Sequence, residues 1–162
     1  MKRLIGIFLT LFFGTQTAFA QETLLEQERI YLGGGLNDND LTGYSGATGF
    51  QLFAGYDLPV KITGATVSVE VGYWDSGDFD TTVGPIRVET SANGLWANGV
   101  FSLHVNRTVD LLGRAGLDFG DDNGLMFGIG VGFKLNRQLQ LRGEYVERDT
   151  VDSLQLNLVY HM

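Results

Sequence analysis

Hydrophobic and polar residues alternate with a period of two along almost the whole chain after residue 28. In the clearest stretch, residues 125–135, every odd position holds a large apolar residue, whereas the even positions hold Met126, three glycines and Lys134. Successive side chains of a β-strand point to opposite faces, so this pattern indicates strands with one apolar face. Eight such stretches predict eight strands, at residues 28–37, 47–58, 64–76, 86–105, 109–120, 125–136, 139–149 and 152–161.

The fourth stretch contains an irregularity. The parity of its apolar residues changes near Asn93 and Gly94. We interpret this change as a β-bulge. An Asn-Gly hairpin is the alternative. It would give nine strands and would place the C-terminus on the outer side of the membrane, opposite the N-terminus.

The composition of the two strand faces indicates a membrane barrel. One face is rich in glycine and suits the narrow interior of an eight-stranded barrel; its glycines are Gly33, Gly35, Gly55, Gly72, Gly116, Gly128, Gly130 and Gly132. The other face carries bulky Leu, Val, Ile and Phe, which would form an aggregation-prone patch in water but is the surface that lipid requires. A soluble lipocalin-like barrel, with its apolar face inside, is the alternative. The sequence therefore predicts an all-β fold, an eight-stranded antiparallel up-and-down transmembrane barrel.

The connections and the aromatic residues fit that interpretation. Tight connections at 58–63, 106–108 and 136–138 follow even-numbered strands and are expected in the periplasm, whereas acidic segments at 37–40, 76–80 and 120–124 are expected outside. An aromatic girdle is expected near the strand ends; the candidates are Tyr31, Tyr56, Tyr73, Phe133, Tyr145 and Tyr160.

The first twenty residues have the features of a secretory signal peptide. Lys2 and Arg3 precede an apolar stretch, and residues 18–20, Ala-Phe-Ala, match a cleavage site. The predicted division is a signal peptide at 1–20 and an outer-membrane barrel domain at 21–162, exported to the outer membrane of a Gram-negative bacterium.

Charge and composition exclude several functions. The net charge of -8 argues against binding of nucleic acid. The chain has no cysteine, so it has neither disulfides nor thiolate metal sites. We expect no cofactor and no metal site. Weak binding of divalent cations by the acidic segments is the alternative.

Charged residues on the glycine-rich face are the main candidate site. Three acids and three bases are predicted to project into the lumen and to form ion pairs, because an unpaired charge there is costly; these residues are Glu70, Arg114, Asp118, Lys134, Arg142 and Glu144. A structural plug is the favoured interpretation. A gated ion path is the alternative.

The sequence contains one hydrolase-like arrangement, but no enzyme activity is expected. Ser102 and His104 share one strand face, with Asp110 across the next turn. The site would lie at the periplasmic end inside the lumen, where lipid A of the outer leaflet does not reach.

Several segments resemble OmpA-like outer-membrane β-barrel domains. The segments are 52–58 with 69–77, 110–116, and 127–147. The resemblance implies an integral outer-membrane protein with a structural role in the envelope, or else a narrow pore or a surface adhesion protein. We also expect contact with outer-membrane lipid and lipopolysaccharide, and a monomeric state. Recognition by the barrel assembly machinery is expected through the terminal strand, at Leu154, Leu156, Leu158 and Tyr160. A terminal aromatic is usual in this family, whereas here Tyr160 is followed by His161 and Met162.

Overall fold

A computed structural model describes residues 26–60, 62–83 and 86–162. A short 3-10 helix, Gln27–Arg29, precedes eight strands. The strands are β1 Ile30–Leu41, β2 Ala47–Asp57, β3 Ala65–Val83, β4 Ile86–His104, β5 Val109–Gly120, β6 Gly124–Lys134, β7 Leu139–Glu147 and β8 Val151–His161. The predicted signal peptide at 1–20 lies outside the described residues.

The eight strands form one closed ring in chain order, and every neighbouring pair is antiparallel. Pairing of β1 with β8, from Tyr31 opposite His161 to Leu41 opposite Val151, closes it. The predicted fold class is therefore confirmed. Within the described ranges, no helix is both long and apolar enough to cross a membrane.

The two ends of the barrel differ in their connections. The turn end carries residues 58–60, 62–64, 105–108 and 135–138 together with the first residue of β1 and the last of β8. The loop end carries residues 42–46, 121–123 and 148–150. The described connections at the loop end are as short as those at the turn end, so strand residues rather than long loops form this end of the barrel.

Side chains alternate across the barrel wall as the pattern predicts. Outward residues are bulky and exposed, and Ile129, with 71% of its surface exposed, is the extreme case. Inward positions hold glycines and polar residues, and buried aromatic residues fill much of the remaining space. A soluble barrel needs the opposite arrangement, so that alternative is wrong. The outward belt is suited to hydrocarbon, where ring closure leaves no strand edge without backbone partners.

Two acidic segments that were predicted as loops belong to strands. Residues 37–40 lie within β1, and residues 76–80 lie within β3. In β1, Asn37 and Asn39 are buried in the lumen while Asp38 and Asp40 point outward and are exposed. Alternation therefore continues through a segment whose composition is typical of a loop.

The irregularity predicted in β4 lies in its partner strand. β4 is continuous, which excludes the hairpin at Asn93 and Gly94. The register shifts between Asp75 and Asp78 of β3, which pair with Asn93 and Ser91. Two residues of β3 thus oppose one of β4, and the parity of β3 inverts above this bulge.

The bulge places Phe79 inside the barrel. Odd residues of β3 below it, such as Val71, face outward, whereas Phe79 is fully buried. It belongs to the same apolar cluster as Trp74 and Val151, against which Leu41 packs. Apolar side chains thus pack together at the loop end of the lumen, beside the buried polar side chains of Asn39 and Ser76.

The assignment of faces is tested by placing a charge in the outward belt. Ile129→Arg puts a guanidinium near the middle of the hydrocarbon and should lower the free energy of unfolding by roughly 2–4 kcal/mol. The measurement is urea unfolding of the refolded barrel in lipid vesicles. Asn123→Arg, in an exposed connection at the loop end, is the control and should have little effect. Equal loss of stability in both variants would contradict the assigned orientation.

Candidate functional site

Four charged side chains meet in the middle of the lumen. Glu70 on β3 accepts a hydrogen bond from Nη1 of Arg142 on β7 at 2.6 Å. Its other carboxylate oxygen lies 3.2 Å from Nη2 of Arg114 on β5, and that nitrogen lies 2.7 Å from Oε2 of Glu144 on β7. We call Glu70, Arg114, Arg142 and Glu144 the central cluster.

The central cluster connects opposite sides of the ring. In an eight-stranded closed sheet β3 and β7 face each other, so the bond between Glu70 and Arg142 crosses the lumen. All four side chains are almost completely buried. Two carboxylates and two guanidinium groups make the cluster neutral, and this compensation is what makes such burial tolerable.

Inward glycines provide the space for these long side chains. A Cβ atom at Gly128 would lie 2.8 Å from Cγ of Arg114, and one at Gly130 would lie 2.6 Å from Cγ of Glu144. Both distances are far below van der Waals contact. The charged side chains of β5 and β7 therefore pack directly against the backbone of the β6 glycines.

A second ion pair lies nearer the loop end. Asp118 on β5 accepts a hydrogen bond from Nε of Arg148 at 2.9 Å, and both side chains are fully buried. Nη1 of Arg148 donates to Ser153 at 2.7 Å, and the Ser153 hydroxyl donates to Asn39 at 2.6 Å. Arg148 was absent from the candidate residues because it follows β7 in a connection, where alternation says nothing about direction.

A third cluster lies at the turn end. Lys134 donates to Asp110 at 3.0 Å, and Gln140 donates to the other oxygen of Asp110 at 2.7 Å. His104 Nδ1 also lies 2.7 Å from Asp110. The six candidate residues are thus distributed over three clusters. Two of the six residues pair with residues that were not predicted: Asp118 pairs with Arg148, and Lys134 pairs with Asp110.

The hydroxyl that contacts His104 comes from a different residue than expected. Thr66 Oγ1 lies 3.0 Å from His104 Nε2, whereas Ser102 has no hydrogen bond to His104 among the described contacts. Asp110, the proposed orienting acid, is shared with Lys134 and Gln140. His104 is therefore held within a network of hydrogen bonds, with a threonine and not a serine beside it.

Amide side chains extend the hydrogen bonding from the central cluster toward the loop end of the lumen. Gln51 donates from Nε2 to Gln155 at 2.7 Å and to Asn157 at 2.8 Å. Asn157 lies 3.4 Å from Glu144. On the other side of the cluster, Arg142 donates from Nε to Gln140 at 2.8 Å. Polar contacts consequently extend along the lumen from Asp110 to Gln155.

Each buried arginine also lies against an aromatic ring. The guanidinium carbon lies 5.1 Å from the ring centre of Tyr31 for Arg142, 5.5 Å from that of Trp96 for Arg114, and 4.2 Å from that of Trp74 for Arg148. These distances permit cation–π attraction. The aromatic rings fill the lumen and stabilise its cations at the same time.

Tyr31 corrects the prediction of the aromatic girdle. Its side chain is fully buried in the lumen, and its hydroxyl donates to Glu70 at 2.8 Å. The sequence contained the signal, because Tyr31 has the same parity as the inward Gly33 and Gly35. Tyr73, Tyr145 and Tyr160 do face outward.

The described part of the chain has no group of three or more His, Asp or Glu side chains placed to hold a metal ion.

Comparison with known proteins agrees with the architecture. A family model described as the outer membrane protein beta-barrel domain matches residues 6–161. The Yersinia pestis outer membrane protein Ail in a phospholipid bilayer nanodisc is similar, with a TM-score of 0.60 and 14% identity over 83% of this chain and 99% of that chain. A de novo designed transmembrane β-barrel gives a TM-score of 0.55 and 17% identity over 83% and 96%. No curated protein matches the chain. At these identities the two structures show the fold alone.

The coupling within the central cluster is open to a double-mutant cycle. Arg142→Ala removes one of the two cations of the central cluster, leaves a net negative charge buried there and should cost about 3–5 kcal/mol. Combining it with Glu70→Gln should cost less than the sum of the two single changes, by about 0.5–3 kcal/mol. Urea unfolding of the refolded barrels measures these differences. The control is Asp38→Ala, an outward exposed acid, which should change stability little. Strict additivity of the two lumen changes would show that the pair is not coupled.

Proposed function

This chain belongs to the outer membrane protein beta-barrel domain family, and on that premise we propose that it is a structural envelope protein whose lumen is plugged by ion pairs. The observation that carries this proposal is the cross-lumen bond between Glu70 and Arg142, joined to Arg114 and Glu144. A narrow pore for ions or small solutes is the rival function.

Charge balance supports a plug over a pore. Four buried carboxylates are paired with four cations along the lumen. A selective ion path requires a ring of one sign or exposed ligands to replace the water of the ion. Here each lumen charge is bound by a partner of opposite sign, so a passing ion would have to break these pairs.

A non-catalytic role is part of the proposal. It is supported by the family and by the surroundings of His104, whose Asp110 partner is also bound by Lys134 and Gln140. We also propose export by the predicted signal peptide at 1–20, contact with lipopolysaccharide, and a monomeric barrel inserted by the assembly machinery through β8. The outward Leu154, Leu156, Leu158 and Tyr160 of β8 are exposed, as contact with lipid or with an insertion machinery requires.

The hairpin of β3 and β4 favours a second function, a surface contact. Pairing of β4 with β5 ends at Gly94 opposite Gly120, and β4 continues beyond that point, where residues 86–89 pair with 80–83 past the buried Phe79. Arg87 binds Asp80 through two hydrogen bonds of 3.0 and 2.6 Å, which fasten the two strands to each other. Ile86 is 64% exposed at the tip. A rigid projection with an exposed apolar residue suits adhesion to another surface.

Conductance in a planar lipid bilayer distinguishes a plug from a pore. The refolded wild type should show no steady current, because eight strands leave little room beyond their own side chains. A heat-dependent shift in gel mobility confirms that the sample is folded. A steady, ion-selective current in the wild type that changes in Arg142→Ala would overturn the plug and establish the pore.

Export and placement are tested separately. Expressed in a Gram-negative host, the protein should be cleaved after Ala20 and recovered in the outer-membrane fraction, where its N-terminal sequence begins at Gln21. The matched control, Ala18→Arg with Ala20→Arg, should remain uncleaved because the small-residue site is lost. A mature product in the soluble periplasmic fraction would contradict this placement.

A further inference from the structure

Two turns at the turn end are built alike. Asn106 Oδ1 accepts hydrogen bonds from the backbone N–H groups of Thr108 and Val109 at 2.8 and 2.9 Å. Asn136 Oδ1 accepts the equivalent pair, from Gln138 and Leu139, at 2.8 Å each. Such side-chain bonds to the following backbone fix a turn. Each turn therefore presents the residue after its asparagine, an arginine in both cases, from a defined backbone.

These two arginines line one cavity. The cavity has a volume of about 450 Å³ and opens at the turn end of the barrel. Its polar lining includes Arg107, Arg137, Lys134, Gln140 and His161. The lining is therefore dominated by basic groups and hydrogen-bond donors, in a chain whose net charge is -8.

Arg107 and Arg137 differ from the other arginines that the structure describes. Arg29, Arg87, Arg114, Arg142 and Arg148 each lie within ion-pair distance of a carboxylate. Arg107 and Arg137 are exposed, and neither forms an ion pair with any described residue. Two cations without partners thus converge on the same space.

One acid beside this cavity, Asp110, already has partners. Asp110 accepts hydrogen bonds from Lys134 and Gln140 and contacts His104. It lies deeper in the lumen than the arginine turns and is almost completely buried. An anion at the mouth therefore meets the guanidinium groups first, and the bound carboxylate limits how far it enters.

We propose that this cavity binds a phosphate group. A guanidinium presents a planar set of N–H donors that can bind two phosphate oxygens at once. Two guanidinium groups and the ammonium of Lys134 line the cavity, so a phosphate bound there could accept hydrogen bonds from several cations. The turn end of a membrane barrel lies at the level of lipid headgroups, so the phosphate comes either from a phospholipid of the adjoining leaflet or from a soluble molecule. The site is separate from the central cluster and does not depend on whether the lumen conducts.

The test is a titration of the refolded, isotope-labelled barrel in a detergent without phosphate, followed by NMR. Sodium phosphate is one ligand, and short-chain phosphatidylglycerol is the other. Sodium chloride at matched ionic strength corrects for screening. Saturable shifts are expected for the Nε–H groups of Arg107 and Arg137 and for the turn amides of Thr108 and Gln138. Saturation by the lipid at lower concentration identifies a headgroup site, and equal or better saturation by free phosphate identifies a soluble ligand.

Matched variants locate the site. Arg107→Gln with Arg137→Gln should weaken phosphate binding about tenfold or more, because charge-assisted bonds are lost. Arg87→Gln, at the opposite end of the barrel, should leave it unchanged. A gel-mobility shift on heating confirms that each variant is folded. The proposal is overturned if neither ligand gives saturable shifts beyond those of chloride, or if the double variant binds as tightly as the wild type.

Discussion

The pairing of β1 with β8 is the constraint on which the rest of the barrel depends. It closes the sheet, so every strand has two neighbours and the backbone can be surrounded by hydrocarbon. Closure at eight strands also fixes the diameter of the lumen, which is only wide enough for side chains. All that lies inside must fit in that width and must be neutral or paired.

The interior meets this constraint by placing glycines opposite long polar side chains. Gly128 lies beneath Arg114, Gly130 beneath Glu144, and Gly132 beneath Gln140. A larger residue at any of these positions would occupy the space that a charged or amide side chain needs. The high glycine content thus reflects the bulk of neighbouring side chains more than any need for flexible backbone.

Much of this arrangement could be predicted from the sequence, because a period of two determines which side of the wall a residue faces. It identified eight strands, the outward apolar belt and the inward direction of Glu70, Arg114 and Arg142. It could not identify partners, since Glu70 and Arg142 are 72 residues apart and meet only through ring closure and the stagger of the strands. Arg148 could not be predicted because it lies outside a strand, where alternation does not determine direction. The bulge was predicted in β4, whereas the extra residue is in β3, because a change of register affects the pairing of both strands and the sequence alone does not show which strand contains the extra residue.

That bulge gives the two ends of the lumen different characters. By inverting the parity of β3 it turns Phe79 inward, among Trp74, Val151 and Leu41, where an uninterrupted strand would have pointed it away. The opposite end holds Lys134, His104 and a polar cavity. The apolar side chains around Phe79 therefore lie toward the loop end of the lumen, and the polar cavity lies at the turn end. Solvent therefore reaches charged lumen side chains at the turn end, where Lys134 and His104 are each about a third exposed, whereas Trp74 and Phe79 are fully buried toward the loop end.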